Sequence, residues 1–260
     1  MRSADTPAFI GNRIGFQLIN STLQQAETFA DSGGIDYMDA IMGPFTGRAM
    51  APCATADFVG LDVHKAIVDN VLTNTDDFAN ATFALPTYVA GLVEDGRLGR
   101  KSGGGLYRTL GEGASRKQLV WDIDSETYRE AIRYEFPFAR EAVAALREGD
   151  YARAAAAIKR NRSQEAAICM RLLLTYVLYT LDLCKGMGVS PAAADDAMAA
   201  GFNWCPPMAI VDFLGGKDEF AKLCRERLDG ALLDKVGFEE LAMGIEPSDY
   251  DYRRYMRARR

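Results

Sequence analysis

The residues able to do chemistry in this chain of 260 are few and scattered. The one histidine, His64, sits in Gly-Leu-Asp-Val-His-Lys-Ala beside Asp62 and Lys65. That polar stripe reads as the solvated side of a helix, not a catalytic base. Cys53, Cys169, Cys184, Cys205 and Cys224 form no Cys-x-x-Cys pair, and their odd number does not suit a disulfide framework. Reduced, partly buried thiols are expected. With one imidazole and no clustered thiols, a zinc or iron site would have to be all-carboxylate. No Glu-x-x-His pair is present to build one, so no metal centre is expected. There is no Gly-x-Ser-x-Gly nucleophile elbow. Lys101 precedes its glycines instead of following them, which excludes a phosphate-binding P-loop. The glycines at 99–105 follow a helical pattern and not a strand, so they are no dinucleotide fingerprint either.

Composition bounds the rest. A chain with 48% hydrophobic and 25% charged residues is an ordinary globular one, long enough for one large core or two smaller ones. Its net charge of −6 argues against nonspecific nucleic-acid binding or an anionic membrane surface. The N-terminus MRSADTPAFIGNR has no apolar signal-peptide region. The most apolar run, LLLTYVLYTL between Arg171 and Asp182, is too short to cross a bilayer and reads as a buried helix. A cytoplasmic protein is expected.

Helical periodicity dominates. Ile14, Leu18, Ile19, Leu23, Ala26 and Ala30 mark one face of a long helix that Thr6-Pro7 opens and Ser32-Gly33-Gly34 closes. A second strong helix spans about 163–185 and ends at Gly186-Met187-Gly188, with further helical patterns near 63–72, 87–94 and 125–147. Strand-type alternation is hardly present, so the fold class expected is all-α. Two breaks punctuate the chain. The glycine-rich stretch 99–107, with the polar run at 111–115 after it, divides a first domain at 1–108 from a linker at 109–123 and a second domain at 124–260. The tail RRYMRARR from Arg253 reads as a frayed, solvated terminus.

The two domains repeat one another. Asn12-Arg13 and Met170-Arg171 hold the same place on the two long helices. Each helix leads to a glycine turn and a short acidic helix, then to Asp57-Phe58-Val59-Gly60 or Asp212-Phe213-Leu214-Gly215. The offsets are 158 residues at the first pair and 155 at the last, a difference the intervening turn can absorb.

Three motifs of the first domain then carry a resemblance: Thr-Pro-Ala-Phe-Ile-Gly-Asn-Arg-Ile at 6–14, Thr-Ala-Asp-Phe-Val-Gly-Leu-Asp at 55–62, and Gly-Arg-Leu-Gly-Arg-Lys-Ser-Gly-Gly-Gly-Leu-Tyr at 96–107. In that order and spacing, over about 4–108, they resemble the C-terminal helical domain of L-3-hydroxyacyl-CoA dehydrogenases. The fold implied is two related helical bundles of that type, which is also like the C-terminal domain of 6-phosphogluconate dehydrogenase. The turn Met42-Gly43-Pro44-Phe45-Thr46-Gly47-Arg48 departs from the short turn of single-function members. It looks more like the longer turn of bacterial and archaeal fusions with an enoyl-CoA hydratase module, which also carry a second, degenerate helical domain. Ala199-Ala200-Gly201-Phe202-Asn203-Trp204 with Pro206-Pro207 resembles that copy.

The resemblance implies roles for two residues. Asn12 matches the active-site asparagine whose amide holds the 3-oxygen of the acyl chain and the catalytic histidine. An amide offers donor and acceptor together and stays neutral at every working pH. Taken on its residues alone, Asn12 is a helix-start residue bonding its own backbone. Lys101 matches the lysine that approaches NAD from the helical domain, and without the resemblance it is a solvated loop lysine. The histidine base, its glutamate and the whole NAD-binding Rossmann domain of the family lie N-terminal to the matched region. The resemblance therefore implies the C-terminal part of an NAD-dependent (3S)-3-hydroxyacyl-CoA dehydrogenase of fatty-acid β-oxidation, inactive alone. It would act on 3-hydroxyacyl-CoA and 3-oxoacyl-CoA beside its own or a separate Rossmann domain, as a pseudo-dimer of its two copies or a homodimer. The alternative is a stand-alone, non-catalytic acyl-CoA-binding or assembly module.

Overall fold

The structure is a computed structural model that describes residues 7–258 except residue 112. The N-terminal part runs α1 (Phe9–Thr28), α2 (Ile35–Ile41), α3 (Pro52–Val59), α4 (Leu61–Asn74) and α5 (Thr87–Glu94). Three antiparallel strands follow, β1 (Tyr107–Leu110), β2 (Lys117–Asp122) and β3 (Thr127–Glu130), in the order β1-β2-β3. The C-terminal part is α6 (Pro137–Arg147), α7 (Tyr151–Arg160), α8 (Gln164–Met187), α9 (Pro191–Gly201), α10 (Pro207–Leu214), α11 (Lys217–Arg227), α12 (Gly230–Val236) and α13 (Phe238–Met243). The all-α class expected from periodicity holds as a mostly helical fold, to which three short strands are added.

The long helices α1 and α8 form the centre. α1 packs on α2, α3 and α4 and, across the molecule, on α8 and α9. Its expected stripe is buried at Ile14, Leu18, Ile19, Leu23 and Ala26. The helix stops at Thr28; a 3-10 turn at Ala30–Ser32 and two glycines at φ 122° and 63° follow. Gly33 is required there, because a Cβ would lie 1.8 Å from the Tyr134 hydroxyl oxygen. Thr6, expected to cap this helix, lies outside the described residues. α8 starts where Ser163 accepts a hydrogen bond from the backbone N–H of Ala166 (3.2 Å) and ends at Gly188, φ 63°. At 24 residues it is long and apolar enough to cross a membrane, but 78% of its most apolar stretch is buried in the fold.

Two expectations are corrected. The helical pattern at 125–147 yields a helix only from Pro137. Thr127–Glu130 pairs as β3 with β2, and the extended 131–136 leads to Pro137, which takes the first helical position and biases Phe136 away from helix. In β2, Val120 and Trp121 are buried and Arg97 stacks on the Trp121 ring at 4.8 Å. The tail is not frayed up to residue 258. Tyr255 and Met256 are buried, the N–H of Arg257 donates to Pro44 O (3.2 Å), and Arg253 lies over the rings of Tyr252 and Tyr151. Buried Tyr255 and Met256 and the backbone hydrogen bond to Pro44 therefore hold the tail, while Arg253 and Arg254 stay exposed.

The same hydrogen bonds occur in both parts. Asp39 accepts from the N–H groups of Cys53 (2.8 Å) and Ala54 (2.9 Å) in the first turn of α3, behind Pro52. Asp195 accepts from the N–H of Met208 (3.0 Å) in the first turn of α10, behind Pro207. Asp57 near the end of α3 accepts from Tyr107 N, and Asp212 near the end of α10 accepts from Ser248 N. The corresponding turns also meet each other. The N–H of Cys205 donates to Gly47 O (2.6 Å) and Arg48 bridges to Trp204.

Candidate functional site

Asn12 closes the first turn of α1, half-buried, and among the described residues its amide has no hydrogen-bond partner. It does not cap its own helix. The residue before α1, Ala8, is in the left-handed region at φ 66°, as is Phe9 at φ 50°, and the Phe9 ring is 74% exposed. Three contacts hold the start of α1 in place. A Cβ on Gly11 would be 3.4 Å from Ala197, and one on Gly15 would be 2.2 Å from the Phe202 ring, so α9 and the turn after it lie close against α1. Arg13 is buried and pairs with Asp77, and its Nε donates to the Tyr179 hydroxyl (3.3 Å) on α8. That hydroxyl donates in turn to Asp77 (2.9 Å). These contacts hold the start of α1, and Asn12 with it, against α8 and α9.

Lys101 rides a 3-10 turn at Arg100–Ser102. Gly99 (φ 96°) and Gly104 exchange backbone hydrogen bonds of 3.1 and 3.2 Å across the base of the turn. A Cβ on Gly99 would lie 2.1 Å from the carbonyl oxygen of Asp57, which is why the motif needs glycine there. The ammonium of Lys101 is paired with Asp62 at the surface, and this hydrogen bond holds the Asp62 carboxyl below its ordinary value. Arg100 beside it lies over the exposed ring of Phe58.

The structure does not bring Asn12 and Lys101 together. Arg13, next to Asn12, meets Asp77 just beyond the C-terminus of α4, whereas Lys101 meets Asp62 in the first turn of α4. Fourteen residues of helix, about 21 Å, separate those ends.

His64 is a correction. It is fully buried, not solvated, and its Nε2 is 2.9 Å from Oδ1 of Asn20. The Asn20 amide nitrogen already donates to Thr82 O (2.7 Å) and Ala84 O (2.8 Å), so Nε2 carries the proton toward Oδ1. Nδ1 has no partner, the Phe16 ring sits 5.2 Å away, and burial pushes the imidazole down to about 3. The sequence signal was available. Leu61, His64, Val68 and Val71 fall at 3-4-3 spacing, and all four are buried. A neutral imidazole closed off in the core is no general base.

Among the described residues no three His, Cys, Asp or Glu side chains are grouped to hold a metal ion. All five cysteines are free and buried, and burial raises every thiol. Two features escaped sequence reasoning. Tyr107 donates its hydroxyl proton to Asp39 (2.8 Å), whose carboxyl burial pushes up to about 6, at the wall of a cavity of about 560 Å³. Arg48 is buried between the rings of Tyr176 (5.3 Å) and Trp204 (5.1 Å). The Asp39 cap had a signal, an aspartate followed 12 or 13 residues later by a helix-opening proline in both copies. The Arg48 cage had none, since its rings come from the distant part of the chain.

Comparison with known proteins adds to the geometry. Residues 9–109 match the family described as 3-hydroxyacyl-CoA dehydrogenase, C-terminal domain. A probable 3-hydroxyacyl-CoA dehydrogenase of Bacillus subtilis (strain 168) is 29% identical over 223 residues, covering 84% of this chain and 27% of that protein. A probable 3-hydroxyacyl-CoA dehydrogenase of Deinococcus radiodurans is 33% identical over 116 residues, 44% of this chain and 32% of that protein. A 3-hydroxybutyryl-CoA dehydrogenase of Bradyrhizobium diazoefficiens is 32% identical over 105 residues, 40% of this chain and 34% of that protein. The chain thus spans between 27% and 34% of the length of these relatives. The crystal structure of 3-hydroxybutyryl-CoA dehydrogenase from Escherichia coli K12 superposes with a TM-score of 0.54 at 18% identity, covering 90% of this chain and 61% of that one, a likeness of fold. The helical N-terminal part that carries Asn12 and Lys101 is therefore similar to the C-terminal domain of the 3-hydroxyacyl-CoA dehydrogenases, a family of oxidoreductases.

Proposed function

We propose that this chain is the helical part of an NAD-dependent (3S)-3-hydroxyacyl-CoA dehydrogenase acting in fatty-acid β-oxidation, and that it supplies Asn12 to an active site completed by a nucleotide-binding domain in cis or in trans. The observation that carries the reading is the Asn12 amide, half-buried and without a hydrogen-bond partner among the described residues, on a rigidly held helix start inside the region that matches the family. The residues present do not fit NAD by themselves. The described strands form only an antiparallel sheet, with no parallel crossover to cradle a pyrophosphate, and Lys101 is engaged with Asp62. No hydride step is therefore assigned to this chain. Its own part is to orient the acyl oxygen through Asn12 and to wall one side of the cleft.

The recurrence of the Asp39 and Asp195 caps, and the meeting of equivalent turns at Gly47 and Cys205, support a second reading. The two copies would stand to each other as subunits of a dimer do, since a twofold contact joins equivalent surfaces. Met170, buried where the first copy has Asn12, makes the second copy structural. The longer Met42–Arg48 turn supports the type fused to a hydratase module.

The test is oxidation of NADH with acetoacetyl-CoA by the purified chain, before and after adding a separately expressed Rossmann domain. No rate alone and a rate on mixing are expected. A rate from the chain alone overturns the reading, and no rate in either case favours a non-catalytic binding or assembly module.

A further inference from the structure

The first turn of α1 has little of its own to hold it. Any helix start leaves four N–H groups without an intrahelical acceptor. Here no side chain caps them, and no acidic residue lies in the first turn to meet the helix dipole. Ala8 and Phe9 enter the helix at φ 66° and 50°, a conformation that strains residues other than glycine. The contacts that hold the turn come from the C-terminal part. On one side Gly11 and Gly15, one helical turn apart, admit Ala197 of α9 and the tip of the Phe202 ring. On the other, Arg13 donates to the Tyr179 hydroxyl of α8 (3.3 Å), which donates to Asp77 (2.9 Å), the ion-pair partner of Arg13. Burial raises the Tyr179 phenol above its ordinary value, so the hydroxyl keeps its proton and closes this triangle. Its ring meets Phe78 and Phe83 edge-on, at 5.9 and 6.0 Å. Successive helical residues differ by about 100°, so Asn12 falls between the side of α1 that meets α9 and the side that meets α8.

We propose that the C-terminal part positions Asn12, with Tyr179 and Phe202 as the two residues that set the rotation of α1 about its axis. This rests on Asn12 being the active-site residue proposed above. Tyr179 and Phe202 are positioning residues: they act through the backbone of residues 11–15 and not on the substrate. A hydrogen bond to a reacting oxygen tolerates little error, since a displacement of about 1 Å can cost about 100-fold in rate. Buried Met170 leaves the second copy without an amide of its own, and its contribution is to hold that of the first.

The test is kcat and KM for acetoacetyl-CoA-dependent NADH oxidation by the intact chain at saturating Rossmann domain. The variants are Asn12→Ala, Tyr179→Phe, Phe202→Leu, and each of the last two combined with Asn12→Ala. Tyr179→Phe and Phe202→Leu should each lower kcat about tenfold at unchanged KM. In the Asn12→Ala background neither should lower it further, whereas a merely structural loss would. Falls that multiply in the double variants, or an unchanged kcat in both single ones, overturn the proposal and leave the role of Asn12 standing. A silent Asn12→Ala overturns both. If Phe202→Leu does not fold, Tyr179→Phe decides, since it removes a single oxygen atom. Backbone order parameters of the intact chain alone give a readout without activity. At residues 11–15 they should fall from about 0.85 toward about 0.6 in either variant and stay unchanged at residues 20–28 of α1. Order parameters at 11–15 equal to those of the wild type overturn the proposal even where mixing yields no rate.

Discussion

Nε2 of His64 donates to Oδ1 of Asn20 across 2.9 Å, and both side chains are fully buried. The pair ties α4 to α1 and, through the other Asn20 hydrogen bonds, to the backbone at Thr82 and Ala84. It also makes stability depend on pH. In the unfolded chain the imidazole takes up a proton below about 6.5, while in the fold it stays neutral down to about 3. The stabilisation is fully present above the first value and is lost as pH falls toward the second, by about 1.4 kcal/mol per unit. Urea unfolding of the wild type and His64→Gln at pH 7.5 and pH 4.5 should show the wild type's advantage shrinking by about 2–3 kcal/mol. An advantage that does not change with pH would contradict this.

His64 also shows what could be read in the sequence and what could not. The 3-4-3 apolar spacing around it is visible in the sequence, but the flanking Asp62 and Lys65 point to solvent, and only the helix face on which His64 lies with Leu61, Val68 and Val71 decides its burial. α1, α5 and α8 were legible because their stripes are long or their ends are marked by Pro, Ser and Gly. β1–β3 were not, since each has four to six residues and only Val120 and Trp121 of β2 are fully buried. Of the candidate site, Asn12 and Lys101 are named by the resemblance that the three motifs carry and not by their own residue types. Their separation along α4 depends on which ends of α1 and α4 meet, a tertiary fact with no local signal.

Arg48 is 1% exposed, yet no carboxylate among the described residues pairs with it. Nη1 donates to the carbonyl and hydroxyl oxygens of Thr46, Nε has no partner, and burial lowers the guanidinium below its ordinary value. Attraction to the two rings offsets about 1–2 kcal/mol, less than a buried, uncompensated charge costs. Arg48→Met should therefore raise stability by about 1–2 kcal/mol in urea unfolding. A loss larger than about 1 kcal/mol would mean that the aromatic cage outweighs the desolvation.

Gly15 lies inside α1, where replacing glycine by alanine ordinarily gains about 1 kcal/mol. Here the new methyl would stand 2.2 Å from the Phe202 ring, which is itself packed on Phe16 and Trp204. The overlap reverses the sign, and Gly15→Ala should lower stability by about 1–3 kcal/mol. A thermal midpoint equal to or above that of the wild type would show that α1 and the turn after α9 are less tightly packed than described.

Arg13, Asp77 and Tyr179 join the two parts of the molecule through buried charge. Removing the carboxylate leaves the guanidinium stranded, so Asp77→Ala should cost about 3–5 kcal/mol. Tyr179→Phe should cost about 1 kcal/mol. The double variant should cost less than the sum, because the three groups form one network. Additive losses in urea unfolding would show that Tyr179 and Asp77 act separately.

The central claim, that Asn12 is the residue this chain lends to catalysis, is tested most directly by the rate of acetoacetyl-CoA-dependent NADH oxidation after mixing with a Rossmann domain, wild type against Asn12→Ala. The account predicts a rate only on mixing and a fall in kcat of about 100- to 1,000-fold for the variant at unchanged stability, the size expected for one lost hydrogen bond to a reacting oxygen. An equal rate for the variant, or a rate from this chain without the second domain, would contradict it.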